Sequence, residues 1–391
     1  MMGVMPFGFL FVFVLFLGSI VSMSSVHWMW IWVGLELNLM GFIPVLLYRG
    51  MIQETEAGMK YFIMQSVGSG MLMMGSLVCY NLSFSWEAVY SGSISFLGVV
   101  LLVSGLLIKL GSFPFHFWVP SVMASVSWFG CLLLSTWQKV APIFLFSAVI
   151  QGWKITSWEG SILLLIAGFS VLVGGIGGVN QTQVRAILAY SSIAHLGWMV
   201  FCISISDGIF KIYFLVYFSV SVCLFMVLWF VELGFYSQVG SLSVGVPSFG
   251  QVFVIFMLLS LGGLPPLLGF VGKFIAIWSY CSIGFLMIVM VLLLGSLISL
   301  YYYLSLLFSV MLFSSFSLSV KGWAVSGDLL SLKSSLSVGG TADGVGLKDY
   351  KVLFVNSLYN SFYWFLVGLI FLANLIGGGF VGYSLMFIDF L

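Results

Sequence analysis

Of 391 residues, 62% are hydrophobic, and the charged side chains number only 12 basic and 11 acidic. A soluble domain carries about 25% charged residues, so a chain with 6% cannot clothe itself in water and must be solvated by lipid. A net charge of +1 leaves no electrostatic footprint for nucleic acid.

Apolar runs of about 20 residues, the length that crosses a bilayer as a helix, recur along almost the whole chain. They are continuously apolar, whereas barrel strands alternate over about ten residues. The expected fold class is therefore all-α, a polytopic membrane helix bundle of about eleven transmembrane helices. In chain order the spans read roughly as 5–24, 26–48, 59–80, 94–121, 122–150, 160–179, 184–205, 209–235, 249–279, 281–312 and 352–377. The first run begins almost at Met1, with no basic flank and no small-residue cleavage site. It reads as a retained helix rather than a signal peptide.

The fourth and ninth runs are too long for one straight crossing. The fourth holds Gly111, Pro114 and Pro120; the ninth holds Gly262, Gly263, Pro265 and Pro266. Proline removes an amide donor and clashes with the preceding turn, so both helices should be discontinuous. Such a break survives at membrane depth only where protein or a watery cavity satisfies the freed groups. The two breaks share an L-G-x-x-P pattern, in Leu110-Gly111-Ser112-Phe113-Pro114 and in Leu261-Gly262-Gly263-Leu264-Pro265. Each falls in the fourth helix of a set of five. Five is odd, so the second set starts on the opposite side of the membrane, which is the pattern of inverted five-helix repeats around an ion pathway. The expected organisation is a five-helix unit over 1–150, a second over 151–312, a solvated loop over 313–351, and a C-terminal helix and tail over 352–391. Arg49, Arg185, Lys321, Lys333, Lys348 and Lys351 fall on the N-terminal side, and Lys154 and Lys211 lie opposite. The positive-inside rule then puts the N-terminus inside.

Glu36, Lys109, Lys139 and Lys273 fall within the expected spans, and Lys60 opens the third. A charge at mid-bilayer costs at least ~3 kcal/mol, so four cost on the order of 12 kcal/mol. Lys60 can relieve its share by reaching the surface. One reading of these residues is a static ion pair, most naturally Glu36 with Lys60. One carboxylate cannot neutralise the surplus of lysines, however. An amine taken out of water disfavours its charged form. A lysine whose charge depends on a neighbour can therefore take up and release protons, and a file of such groups linked by water is a proton relay.

His195, in Ser191-Ser192-Ile193-Ala194-His195, is either a bridge for protons between lysines or a hydrogen-bonded core residue. His116, beside the first break, carries the same two readings. His27, at a span junction, reads as interfacial. Asn180, Gln181, Gln183 and Arg185 read as a polar turn, the Trp and Tyr surplus as mostly an interfacial belt, and the glycines of 174–178 as close helix packing. Five widely spaced cysteines without a CxxC pair argue against a metal or iron–sulfur site. No nucleotide-binding glycine motif is present. No cofactor is expected on this chain.

Several polar neighbourhoods are distinctive as strings. They are Trp32-Val33-Gly34-Leu35-Glu36-Leu37-Asn38, Glu56-Ala57-Gly58-Met59-Lys60-Tyr61-Phe62, Lys109-Leu110-Gly111 with Pro114 to Pro120, and Thr136-Trp137-Gln138-Lys139-Val140-Ala141-Pro142. Gly177 to Gln183 running on through Ala189 to Met199, and Leu259 to Phe270 with Lys273, complete the set. In this order, over roughly residues 5–310, they resemble the subunit 2 family of mitochondrial NADH:ubiquinone oxidoreductase, antiporter-like subunits of the respiratory complex I membrane arm. The resemblance implies discontinuous helices in inverted five-helix units, and an eleven-helix form like the animal one. It implies that Glu36, Lys109, Lys139 and Lys273 form the proton path, with Lys60 and His195 accessory. Glu36 would pair with a nearby lysine, Lys109 and Lys139 would lie on the central axis, and Lys273 would lead to the exit or the next subunit. It also implies a multi-pass protein of the mitochondrial inner membrane with its N-terminus on the matrix side. Its partners would be other membrane-arm subunits, especially neighbouring antiporter-like ones, and membrane lipids. NAD, FMN, iron–sulfur clusters and ubiquinone would sit on partner subunits. Two departures stand out. Ser121 follows Val119-Pro120, where the family often has an acidic residue, and the 313–351 loop is long for the family.

Three rival readings stay open on the residues alone. The chain could be a free-standing cation/proton antiporter, or a scaffold whose lysines are inert. It could also belong to a quinone site, for which no lining signature is visible.

Overall fold

A computed structural model describes residues 7–80, 96–152, 157–231, 248–281 and 286–309, together with Gly368 and Asn374. The described chain is a helical membrane bundle. Helix α1 (Gly8–Ser24) and α2 (Trp28–Leu46) form a tight hairpin. Helix α3 (Ile52–Tyr80) runs along α4 (Phe96–Leu110). After a break come α5 (Trp118–Ser125), α6 (Trp128–Ser135) and α7 (Trp137–Gly152). A second tight hairpin joins α8 (Ser157–Val179) to α9 (Val184–Ile205), followed by α10 (Asp207–Val231). Helices α11 (Ser248–Gly262) and α12 (Leu268–Cys281) flank the second break, and α13 spans Leu286–Ser309. Among the described residues seven stretches are long and apolar enough to cross a membrane, with α6 and α7 counted as one. Helices α1, α4, α11 and α12 are shorter apolar pieces.

Both hairpins close through small residues. A Cβ on Gly34 would meet the Ser22 amide nitrogen of α1 at 2.6 Å, and one on Gly174 would meet the Ala194 nitrogen of α9 at 2.6 Å. Where lipid is as apolar as leucine, such close backbone approach is what holds helices together. Helix α9 is the hub. It touches α5, α6, α7, α8, α10 and α12, and it is buried along nearly its whole length. Its alanines, serines and Gly197 keep it thin enough to be surrounded. The Arg185 guanidinium anchors its first turn by donating to the Val126 carbonyl at the α5–α6 junction and lying over the Trp128 ring at 5.8 Å.

The expected spans are corrected in three places. Helix α3 starts at Ile52, ahead of 59, because Glu54 suits a helix N-terminus and Glu56 pairs with Lys60 one turn on, at 2.6 Å. The fourth run ends later than 121. Pro120 falls in the first turn of α5, where its missing N–H costs no hydrogen bond, so it starts a helix instead of breaking one. The fifth run is itself divided at Thr136, whose hydroxyl bonds the Leu132 carbonyl at 2.6 Å and whose backbone turns away (φ −111°, ψ −75°). The 313–351 loop and most of the 352–377 span lie outside the described residues. Asn374 is helical and donates to the Met257 sulfur of α11 at 3.4 Å.

Candidate proton-path site

The two breaks are capped in the same way. At the first, the amides of Gly111 and Ser112 both bond the Leu107 carbonyl, at 2.9 and 3.2 Å. At the second, the amides of Gly263 and Leu264 both bond the Leu259 carbonyl, at 3.0 and 3.3 Å. Gly111 (φ +72°) and Gly263 (φ +83°) take the left-handed conformation that this cap requires. The structural equivalence is therefore Gly111 with Gly263 and Pro114 with Pro266. The shared L-G-x-x-P pattern is out of register by one residue.

Each break leaves carbonyls without helical partners. At the first, the Trp118 indole donates to the Ile108 carbonyl at 3.2 Å, and Gln65 Nε2 donates to the Lys109 carbonyl at 3.3 Å. At the second, the Lys273 ammonium donates to the Gly262 carbonyl at 3.0 Å. A cation at the carbonyl end of a helix is favourable. Lys273 also lies 6.0 Å over the Trp198 ring.

Lys109, Lys139, Lys273 and His195 are only 6%, 3%, 8% and 8% exposed. Lys109 sits in the last turn of α4. Lys139 sits just inside α7 and donates to the Ser192 carbonyl of α9 at 3.4 Å, one turn before His195. Lys109 and Lys139 line one small cavity, with Asn38, Tyr61, Gln65 and Gln138 among its walls. Its polar lining is connected: Tyr61 donates to Gln138 at 3.3 Å, and Gln138 donates to Asn38 at 3.0 Å. Pro142, also in the wall, cannot donate to the Gln138 carbonyl, which loosens α7 beside Lys139.

From Lys139 the polar groups continue. Its ammonium lies 5.6 Å over the Tyr217 ring, and that ring is 5.1 Å from the His195 ring. Tyr217 donates to the Ser135 carbonyl at 3.2 Å, satisfying a group freed by the Thr136 turn. His195 Nδ1 and the Tyr213 hydroxyl are 2.9 Å apart. His195 and Lys273 share a second small cavity with Ser191, Ser299, Tyr302 and Tyr303. A third runs from His195 past Tyr213 and Tyr217 to Ser260 and Gly269 at the second break.

The other sequence-derived candidates lie apart from this file. Glu36 is half-buried on α2, beside the cavity-lining Leu35. Its carboxylate acts on Lys109 through space, with no lysine at ion-pair distance among the described residues. Lys60 is half exposed and paired with Glu56, so the Glu36–Lys60 pair does not form. His116 is buried in the first break, its ring 4.0 Å from that of Phe117, and His27 is exposed. The Trp and Tyr surplus reads as mostly an interfacial belt, but Tyr61, Tyr213, Tyr217, Tyr302 and Tyr303 are core residues. The i,i+4 spacing of Tyr213 and Tyr217, in line with one helix face, is the signal that could have found two of them.

The family model described as NADH:quinone oxidoreductase/Mrp antiporter, transmembrane, matches residues 25–299. A chain named NADH-ubiquinone oxidoreductase chain 2 from Locusta migratoria is 37% identical over 307 residues, covering 78% of this chain and 85% of that one. The chain of that name from Lemur catta is 38% identical over 298 residues, covering 76% and 84%. Among solved structures, a chain of respiratory complex I from Thermus thermophilus with bound aureothin matches with a TM-score of 0.69 and 28% identity. It covers 78% of this chain and 70% of that chain. A chain of the Mrp complex from Dietzia, 17% identical with a TM-score of 0.68 over 76% of this chain and 59% of that one, shares the fold.

Proposed function

The chain belongs to the NADH-ubiquinone oxidoreductase chain 2 family of antiporter-like membrane subunits, and from that premise we propose that it carries protons across the mitochondrial inner membrane through Lys109, Lys139, His195 and Lys273. The observation that carries this reading is the continuity of the buried file. Two cavities each hold two of the four groups, and Lys139 and His195 meet across Tyr217.

Lys109 and Lys139 exchange a proton through water in the first cavity, with the Gln65, Gln138, Asn38 and Tyr61 side chains orienting that water. Glu36 biases the step from outside the cavity wall, because a carboxylate favours the charged form of a nearby amine. Lys139 passes the proton along α9 to His195, and His195 passes it into the second cavity to Lys273. Lys60 is an accessory charge near the start of α3. On this reading 1–150 and 151–312 are inverted five-helix units, the N-terminus faces the matrix, and other membrane-arm subunits flank the chain. Electron transfer from NADH to ubiquinone takes place on partner subunits and supplies the free energy.

Substituting Lys109→Met and Glu36→Gln in the assembled complex tests the reading. Assembly should persist, while protons moved per NADH oxidised fall. Full assembly with unchanged proton stoichiometry in both would make the lysines inert and the chain a scaffold. Sodium exchange by the isolated chain in liposomes would make it a free-standing antiporter.

A further inference from the structure

The second cavity contains more chemistry than its lysine and histidine use. Its α13 wall presents Tyr302 and Tyr303, both buried, while Tyr301 beside them faces outward. Neither inward hydroxyl has a hydrogen-bond partner among the described residues. Tyr303 faces Ser191 and Tyr302, and Tyr302 faces Ser299, but none of these contacts has full hydrogen-bond geometry. The two serines already donate to their own helices, at the Leu188 and Ser296 carbonyls. Their oxygens are therefore left as acceptors toward the cavity. Lys273 spends one of its three hydrogens on Gly262.

Buried phenols without partners are unfavourable, and a bridging water would satisfy them. The rings are seated as though built for the position. A Cβ on Gly178, in the last turn of α8, would press on the Tyr302 ring at 2.8 Å, and Gly262 faces the Tyr303 ring. The glycines leave room for the rings, and the rings carry their hydroxyls from the second break toward the α8–α9 corner.

We propose that Tyr302 and Tyr303 are members of the proton path, joined by water to His195 and Lys273, and that they lead it toward the α8–α9 corner. The inference rests on the relay reading above and extends it by two groups. Each phenol accepts a proton on its oxygen from one water and releases its own proton to the next. The O–H bond broken is replaced by the one formed, no phenolate accumulates, and one proton moves on per passage.

The test uses the assembled complex with Tyr302→Phe, Tyr303→Phe, the pair together, and Lys139→Met alongside. Phenylalanine keeps the ring packing and removes only the hydroxyls. The expected result is that the double variant assembles, oxidises NADH, and loses proton translocation to the level of Lys139→Met. A double variant that pumps like the unaltered complex while Lys139→Met does not would overturn the tyrosine proposal and leave the relay standing. If Lys139→Met also pumps normally, the relay itself fails and the proposal with it. Should the double variant not assemble, a water-resolving structure of the unaltered complex decides. Ordered water touching both phenols supports the proposal, and phenols bonded directly to Ser191 and Ser299 with no water between overturn it.

Discussion

The two helix breaks share a backbone and differ in what neutralises it. At Gly111 the freed carbonyls are met by uncharged donors, the Trp118 indole and the Gln65 amide. At Gly263 the freed carbonyl is met by the Lys273 ammonium. Among the described residues Lys109 Nζ makes no hydrogen bond, and Lys109 lines the first cavity. Lys109, two residues before its break, and Lys273, ten residues after its own, are therefore placed differently, one free to respond to its surroundings and one held by a helix terminus. On the proposed relay this asymmetry would give the path a direction, because a held site would release a proton under different conditions from a free one.

The largest effect that would break the comparison comes from packing at the second break alone. A Cβ on Gly269 would run into the Ser260 carbonyl. Gly269→Val should therefore abolish accumulation of the assembled subunit on a native gel, while Gly262→Ala, whose nearest new contact is Tyr303 at 3.7 Å, should leave more of it. Next in size are the cap glycines. Gly111→Ala and Gly263→Ala should each destabilise by about 1–2 kcal/mol from left-handed strain, and Gly111→Ala by more, because its added carbon would also clash with the Val119 side chain. Only the second pushes on Lys273, whose Nζ would lie 2.9 Å from the added carbon, so only Gly263→Ala should also depress proton translocation strongly. Lys273→Met should lower thermal stability by about 1–3 kcal/mol, through the orphaned Gly262 carbonyl. Lys109→Met should not, and equal losses in the two would erase the proposed asymmetry. The smallest change, Trp118→Phe, should cost about 0.5–1.5 kcal/mol for one lost hydrogen bond in a melting measurement.

Much of this architecture was legible from residue order. Continuous apolar runs located the spans, and Gly with Pro located both breaks, because each residue's backbone restriction acts locally. The buried lysines were legible for the same reason: a charge inside an apolar run cannot escape by local rearrangement. The register of the repeat was not, because Leu261-Gly262 imitates Leu110-Gly111 while the left-handed turn sits one residue later. The Thr136 turn was hidden too, since it depends on a hydroxyl bonding its own helix rather than on Gly or Pro. The pairing of Lys60 with Glu56 over Glu36 required knowing which face of α3 turns outward. Tyr217, Tyr302 and Tyr303 read as generic aromatic residues until long-range packing placed them against Lys139, His195 and Lys273.

The most direct measurement is a structure of the assembled complex at a resolution that shows water. The account expects ordered water in the first cavity touching both Lys109 and Lys139, and in the second touching both His195 and Lys273. Dry cavities, with the lysines held against fixed counter-ions or reaching the headgroups, would contradict it.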